Sequence, residues 1–375
     1  MDGMQSTVDP DGLMEFSVVF TDRSLNHMSR AFQGVMTDIS AMLKEVYHAD
    51  HVALVPGGGT YGMEAVARQF GNDAHAFIVR NGWFSYRWSQ IFDAGQFTSQ
   101  TTVMKARRAG NGARAAFAPA PIGEVVAAIH AAKPDVVFAP HVETSAGIIL
   151  PDDYLTALAD AAHAVGAIMV LDCIASGCVW VDMQATGVDV LISAPQKGWS
   201  ATPSTGLVMM SQRAVDRMAD TTSNSFAMDL KKWHSIMQAY ENGGHAYHAT
   251  MPTDGLRAFR DTMVETKSYG FDKLKEQQWA LGNAVRKVLA DKGVPSVAAA
   301  EFGAPGVVVS YTDDPDIQNG SKFAAQGMQI AAGVPLQCDE PADFRTFRLG
   351  LFGLDKLYDV NGTLARLVPV LDRVI

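Results

Sequence analysis

Between residues 26 and 47, apolar side chains recur three and four positions apart (Met28, Phe32, Val35, Met36, Ile39, Leu43, Val46), which predicts an amphipathic helix. A short apolar run at 52–55 follows, closed by Pro56 and three glycines, and helical spacing returns at 60–70. The alternation then continues. Strands are expected at 76–79, 100–104, 135–139, 167–171, 188–192 and 206–210, with helices at 84–92, 122–132 and 152–165. Strands that are apolar throughout are buried on both faces. The pattern therefore predicts an α/β fold with a mainly parallel, seven-stranded sheet covered by helices. Ligands of such sheets gather at the carboxyl ends of the strands.

Near residue 253 the texture changes. A helical stretch at 256–292 carries charges along one side, followed by a strand at 307–311 and a helix at 323–332. A strand at 347–351 and a helix at 361–374 close the chain. The expected organisation is a flexible tail over 1–15, a large α/β domain over 16–252 and a small α+β domain over 253–375.

Composition narrows the partners. The chain has 375 residues, with 30 Lys and Arg against 40 Asp and Glu, a net charge of −10 that disfavours nucleic acid and anionic membranes. Apolar residues make up 48%, enough for a sizeable core. Charged residues are 19%, against a usual value of about 25%, which fits a surface partly hidden in an oligomer. Cys173, Cys178 and Cys338 form neither a disulfide framework nor a zinc set, so no metal is expected. The polar start and the lack of an apolar run of about 18 residues lead us to expect a soluble, cytoplasmic protein.

Three features carry chemistry. Pro56-Gly57-Gly58-Gly59-Thr60 joins a strand to a helix, where close backbone approach and free N–H groups make an anion cup or simply a turn. It matches neither the P-loop nor the dinucleotide fingerprint. Asp172 ends the strand Met169-Val170-Leu171, placed for a site or for capping a turn. Lys197, in Ser193-Ala194-Pro195-Gln196-Lys197-Gly198-Trp199, follows another strand among small and apolar residues. It is either a surface lysine or an amine that burial makes nucleophilic. Together a lysine, an acid and a phosphate cup are the parts that pyridoxal phosphate needs.

With these features the chain resembles the class V, fold-type-I aminotransferases, nearest the alanine–glyoxylate and serine–pyruvate branch. The matching pieces run in order from Gly57-Gly58-Gly59-Thr60-Tyr61-Gly62 through Asn81-Gly82-Trp83-Phe84 and His141-Val142-Glu143-Thr144-Ser145. They continue through Leu171-Asp172-Cys173-Ile174, Pro195-Gln196-Lys197-Gly198, Tyr247-His248-Ala249-Thr250 and Phe347-Arg348-Leu349-Gly350.

The resemblance implies pyridoxal 5′-phosphate as cofactor, held on Lys197 as a Schiff base, with Lys197 also moving the substrate's proton. Asp172 would face the pyridine nitrogen, and Gly58, Gly59, Thr60 and Gln196 the phosphate. Phe84 and Ile174 would pack the two faces of the ring, and Thr144 would approach its hydroxyl. Arg348 would clamp the substrate carboxylate, and Tyr247 and Thr250 would reach the phosphate of a partner subunit in a homodimer.

Bland readings stand beside these. Phe84 also reads as core, with Trp83 as the alternative stacking ring, and Arg345 competes with Arg348 as the clamp. Tyr247 and His248 also read as loop caps. The family's Gly/Pro-rich opening is replaced here by Phe20-Thr21-Asp22-Arg23-Ser24-Leu25-Asn26-His27, and Ala249 stands where a second His is usual. The implied activity is transfer of an amino group from an alanine- or serine-type amino acid to glyoxylate or pyruvate. The enzyme alternative is a fold-type-I lyase or cysteine desulfurase with Cys338 as nucleophile. A non-enzymatic protein that keeps the fold is the remaining reading.

Overall fold

A computed structural model describes residues 7–375. The part of the expected tail over 1–6 lies outside the described residues. Residues beyond it are tied down: Val8 O accepts from Arg257 Nη1 at 3.2 Å, and Glu15 Oε2 accepts from Asn26 Nδ2 at 2.6 Å.

Seven strands form the central sheet: β1 (His51–Pro56), β2 (His75–Arg80), β3 (Gln100–Lys105), β4 (Val136–Pro140), β5 (Ile168–Asp172), β6 (Val190–Ser193) and β7 (Thr205–Met210). Their order is β1-β7-β6-β5-β4-β2-β3. Only β7 runs antiparallel to its neighbours, so the carboxyl ends of the other six open on one edge. The central strands are buried along their whole length, which explains why they read as unbroken apolar runs. Each large side chain so buried stabilises the sheet by roughly 1.5–3 kcal/mol.

The main helices of this part are α1 (Arg30–Tyr47), which precedes β1, then α2 (Gly59–Phe70), α3 (Trp83–Gly95), α4 (Ile122–Ala132), α5 (Asp152–Ala164), α6 (Gln212–Ala219) and α7 (Leu230–Glu241). Helix α1 begins at Arg30 and not near 26, because the Ser29 hydroxyl accepts the N–H of Phe32 and caps it there. The sequence pattern did not anticipate α6 or α7.

The helical stretch expected at 256–292 is two helices, α8 (Thr253–Tyr269) and α9 (Phe271–Asp291). They part at Gly270, whose φ of 107° lies outside any helix. The helix expected at 323–332 is a correction: only the turn Ser321–Ala324 is helical, and Gly327 (φ 76°) follows it in the left-handed region. Ala331–Ala332 is instead an edge strand, β9, beside β8 (Val307–Tyr311) and β10 (Thr346–Gly350) in the order β8-β10-β9. Helix α10 (Val360–Val374) packs on α9. Among the described residues no helix is long and apolar enough to cross a membrane.

Candidate active site

The carboxyl edge of the sheet opens on a cavity of about 390 Å³. The cavity wall includes Gly59, Thr60, Phe84, Arg87, Thr144, Asp172, Ile174, Gln196, Lys197, Arg348 and Phe352. Nine of the twelve implied site residues therefore meet, from the ends of β1, β2, β4, β5 and β6 and from β10; Gly58, Tyr247 and Thr250 are not on this wall.

The cup is built where β1 turns into α2. Gly58, in extended conformation, caps the helix through its carbonyl, which accepts from Tyr61 and Gly62. The first-turn N–H groups of Gly59 and Thr60 are left free for an anion, at the positive end of the helix dipole. A Cβ on Gly59 would lie 2.6 Å from Ile174 Cδ1, so a larger residue here would have to push the Ile174 side chain aside.

Asp172 closes β5 and is 7% exposed. Burial pushes its carboxyl up to about 7; the N–H of Ile174, given to Oδ1 at 2.9 Å, opposes that rise. The charge of Glu143 adds to the rise and that of Arg87 opposes it. Lys197 sits on the turn after β6. Trp199, fully buried against Trp180, Phe259 and Phe271, pins that turn. Gly198 packs so tightly on Gly177 that a Cβ would overlap its carbonyl. Burial, then the charges of Arg348 and Arg87, lower the Lys197 pKa, and its Nζ lies 5.4 Å from the Phe352 ring centre.

Phe84, in the first turn of α3, is the ring that faces the cavity, whereas Trp83 packs on Tyr86. The guanidinium groups of Arg87 and Arg348 lie over the Phe84 ring, 5.1 and 5.5 Å from its centre. Glu143 fixes this helix end. Its buried carboxylate accepts from the N–H groups of Phe84 and Ser85 and from the hydroxyls of Ser85 and Ser145. Arg348 is aimed from β10 by its Nε, which donates to Ala332 O at 2.8 Å. Arg345 lies away from the cavity wall and donates to Asp313 O at 2.6 Å.

Tyr247 and Thr250 are not brought to this cavity within one chain. Their hydroxyls are 3.1 Å apart, and Tyr247, 54% exposed, borders a separate cleft with Phe20, His27 and Trp233. Cys338 is also elsewhere. It is buried, its Sγ donates to Arg80 O at 3.5 Å, and burial pushes its thiol up to about 12, which leaves no thiolate for attack. No cluster of metal-binding side chains occurs among the described residues.

Arg87, Glu143 and Phe352 were not assigned from the sequence. The first two had a faint signal: Arg87 follows the aromatic pair by a helical turn, and Glu143 lies inside the His141-Val142-Glu143-Thr144 motif.

The donor set fits pyridoxal phosphate. Among the described residues Asp172 is a buried carboxyl that forms no ion pair, and a protonated pyridine nitrogen would supply one. The Gln196 amide lines the same cavity as the cup and can donate through its Nε2, and a lysine amine lies there too.

The family model for aminotransferase class-V matches residues 15–309. A "soluble hydrogenase, small subunit" from Synechococcus sp. is 24% identical over 88% of this chain and 83% of its own. The 2-aminoethylphosphonate–pyruvate transaminase of Vibrio parahaemolyticus is 28% identical, over 58% of this chain and 55% of its own. An alanine–glyoxylate aminotransferase structure from Nostoc sp. superposes with a TM-score of 0.80 at 20% identity, over 94% of this chain and 89% of that one. That likeness shows the shared fold. The chain belongs to the class-V aminotransferases, a family of fold-type-I enzymes whose cofactor is pyridoxal phosphate.

Proposed function

We propose that the protein transfers an amino group from a small amino acid of the alanine or serine type to a 2-oxo acid, glyoxylate or pyruvate. The observation that carries this reading is one cavity holding an amine, a buried acid, an anion cup and a guanidinium. Relatives that carry the names alanine–glyoxylate aminotransferase and 2-aminoethylphosphonate–pyruvate transaminase support the choice of acceptor.

When bound, the cofactor supplies an electron sink for the charge left on the substrate's α-carbon. The chain supplies the rest. Lys197, its pKa lowered by burial, removes and returns the proton at that carbon. Asp172 holds a proton on the pyridine nitrogen. Gly58, Gly59, Thr60 and Gln196 bind the phosphate; Phe84 and Ile174 hold the ring; Thr144 approaches its hydroxyl. Arg348 binds the substrate carboxylate in a bidentate pair. In Arg348→Gln, KM for the amino donor rises roughly 100-fold while binding of the cofactor itself changes little. Steady-state kinetics with a cofactor titration check this, and an unchanged KM removes Arg348 from the role.

The donor is tested by single turnover, mixing the loaded enzyme with a panel of amino acids and following the cofactor's absorbance. Alanine or serine is expected to convert it fastest, and glyoxylate or pyruvate to restore it. No conversion by any amino acid overturns the reading.

We assign Tyr247 and Thr250 to the cavity of a partner subunit in a homodimer. Their distance from this chain's own cavity and the exposed apolar side chains of Leu13, Met14, Phe16 and Val18 support that assignment. Hybrid dimers test it. Inactive Lys197→Ala chains mixed with impaired Tyr247→Phe/Thr250→Ala chains should regain roughly half of the wild-type activity in each hybrid, from one whole site. Failure of hybrids to regain activity refutes a shared site. In the same reading, residues 16–252 form the cofactor domain and 253–375 the smaller domain that carries Arg348.

A further inference from the structure

We propose that Arg87 is the cation that binds the cofactor's phosphate; this rests on the reading just given. A phosphate monoester brings about two negative charges into a partly enclosed cavity. The donors gathered at the cup are neutral: the N–H groups of Gly59 and Thr60, the Thr60 hydroxyl and the Gln196 amide. The helix dipole adds about half a positive charge, which leaves most of the anion unbalanced.

Lys197 and Arg348 also line the cavity, but neither hydrogen-bonds a cup residue. Arg348 is turned to β9 by its bond to Ala332 O, and Lys197 lies beside Phe352. Arg87 is different. Its Nη1 donates to Thr60 Oγ1 at 3.1 Å, inside the cup. Its guanidinium lies 5.1 Å from the centre of the Phe84 ring, and among the described residues it forms no ion pair with a carboxylate, feeling Asp172 only through the field of its charge. Such a cation is oriented by an aromatic ring and a hydroxyl but not neutralised, so its remaining N–H groups are free for phosphate oxygens. Thr60 sits in the first turn of α2 and Arg87 one turn into α3. Glu143 anchors the α3 end through the Phe84 and Ser85 N–H groups.

The test compares two probes on cofactor-free protein: pyridoxal 5′-phosphate and pyridoxal, which lacks the phosphate. Dissociation constants come from quenching of tryptophan fluorescence. In Arg87→Gln, the constant for pyridoxal 5′-phosphate should rise roughly 10- to 100-fold and that for pyridoxal stay within about twofold. Arg87→Lys keeps a charge without the planar fork and should recover part of the loss. An unchanged constant for pyridoxal 5′-phosphate in Arg87→Gln overturns the proposal. So does an equal loss for both probes, which would mean that Arg87 only props Phe84. If the wild-type protein binds neither probe, the cofactor reading fails first and this proposal falls with it.

Discussion

Lys197→Ala is expected to abolish turnover, lowering kcat/KM by at least about 10⁴-fold, without harming the fold. Two properties of the site set that expectation. The amine is the basic group in the cavity placed for proton transfer, and among the described residues no other lysine or histidine lines the wall. Its pKa is also lowered by burial, so in the folded protein its charged form is disfavoured relative to the unfolded chain. A group of that kind costs stability wherever it is charged, and truncation removes the cost. The cofactor-free variant should therefore melt at the wild-type temperature or slightly above it. Absorbance gives the second readout: the band of a cofactor whose aldehyde is bonded to a lysine amine should be present in the wild type and absent in the variant. Added small amines such as methylamine should restore part of the turnover, because they replace the proton carrier in a cavity that keeps its shape. Turnover within about 100-fold of wild type, or a persisting band, assigns the role to another residue.

How much of this was legible in the chain depends on what each signal requires. The sheet was legible because buried parallel strands must be apolar on both faces, and the runs at 52–55 or 167–171 have no other economical reading. Asp172 and Lys197 stood out because a polar residue directly after such a run lies at the edge where ligands bind. Local helix signals were weaker. Residues 323–332 include four alanines, yet Gly327 and the pairing of Ala331–Ala332 with β10 override that propensity. The break at Gly270 was hidden by apolar spacing that continues on both sides of it.

Arg87 and Glu143 were harder for a different reason. On a helix, an arginine reads as a solvated face, and its value here comes from the nearness of α2, which pattern alone does not give. Glu143 matters through five donors on two segments far apart in sequence. Tyr247 and Thr250 mark the opposite case, since family likeness assigned them before any contact within one chain could.

Asp172→Asn should separate the fold's interest from the site's. In the cofactor-free protein, burial holds the Asp172 carboxyl near a pKa of about 7, well above the usual carboxylate range. A raised folded-state pKa means that the stability contributed by the protonated group is fully present below about pH 4 and is lost as pH rises through about 7. Asparagine carries no charge and keeps an oxygen for the N–H of Ile174. At pH 8 the cofactor-free variant should thus be more stable than wild type by an amount on the order of 4 kcal/mol. The gap should narrow as pH falls through 7 and close near pH 4. With cofactor bound the order reverses. The carboxylate then gains a protonated pyridine nitrogen as its partner, whereas asparagine cannot hold that proton, so turnover should fall at least about 10³-fold. The increase in melting temperature on adding cofactor should likewise be larger for wild type than for the variant. Thermal melts from pH 4.5 to 8.5, with and without cofactor, check both halves. A cofactor-free variant less stable than wild type at pH 8 would mean that another cation already pairs Asp172, and the pyridine assignment would lose its physical basis.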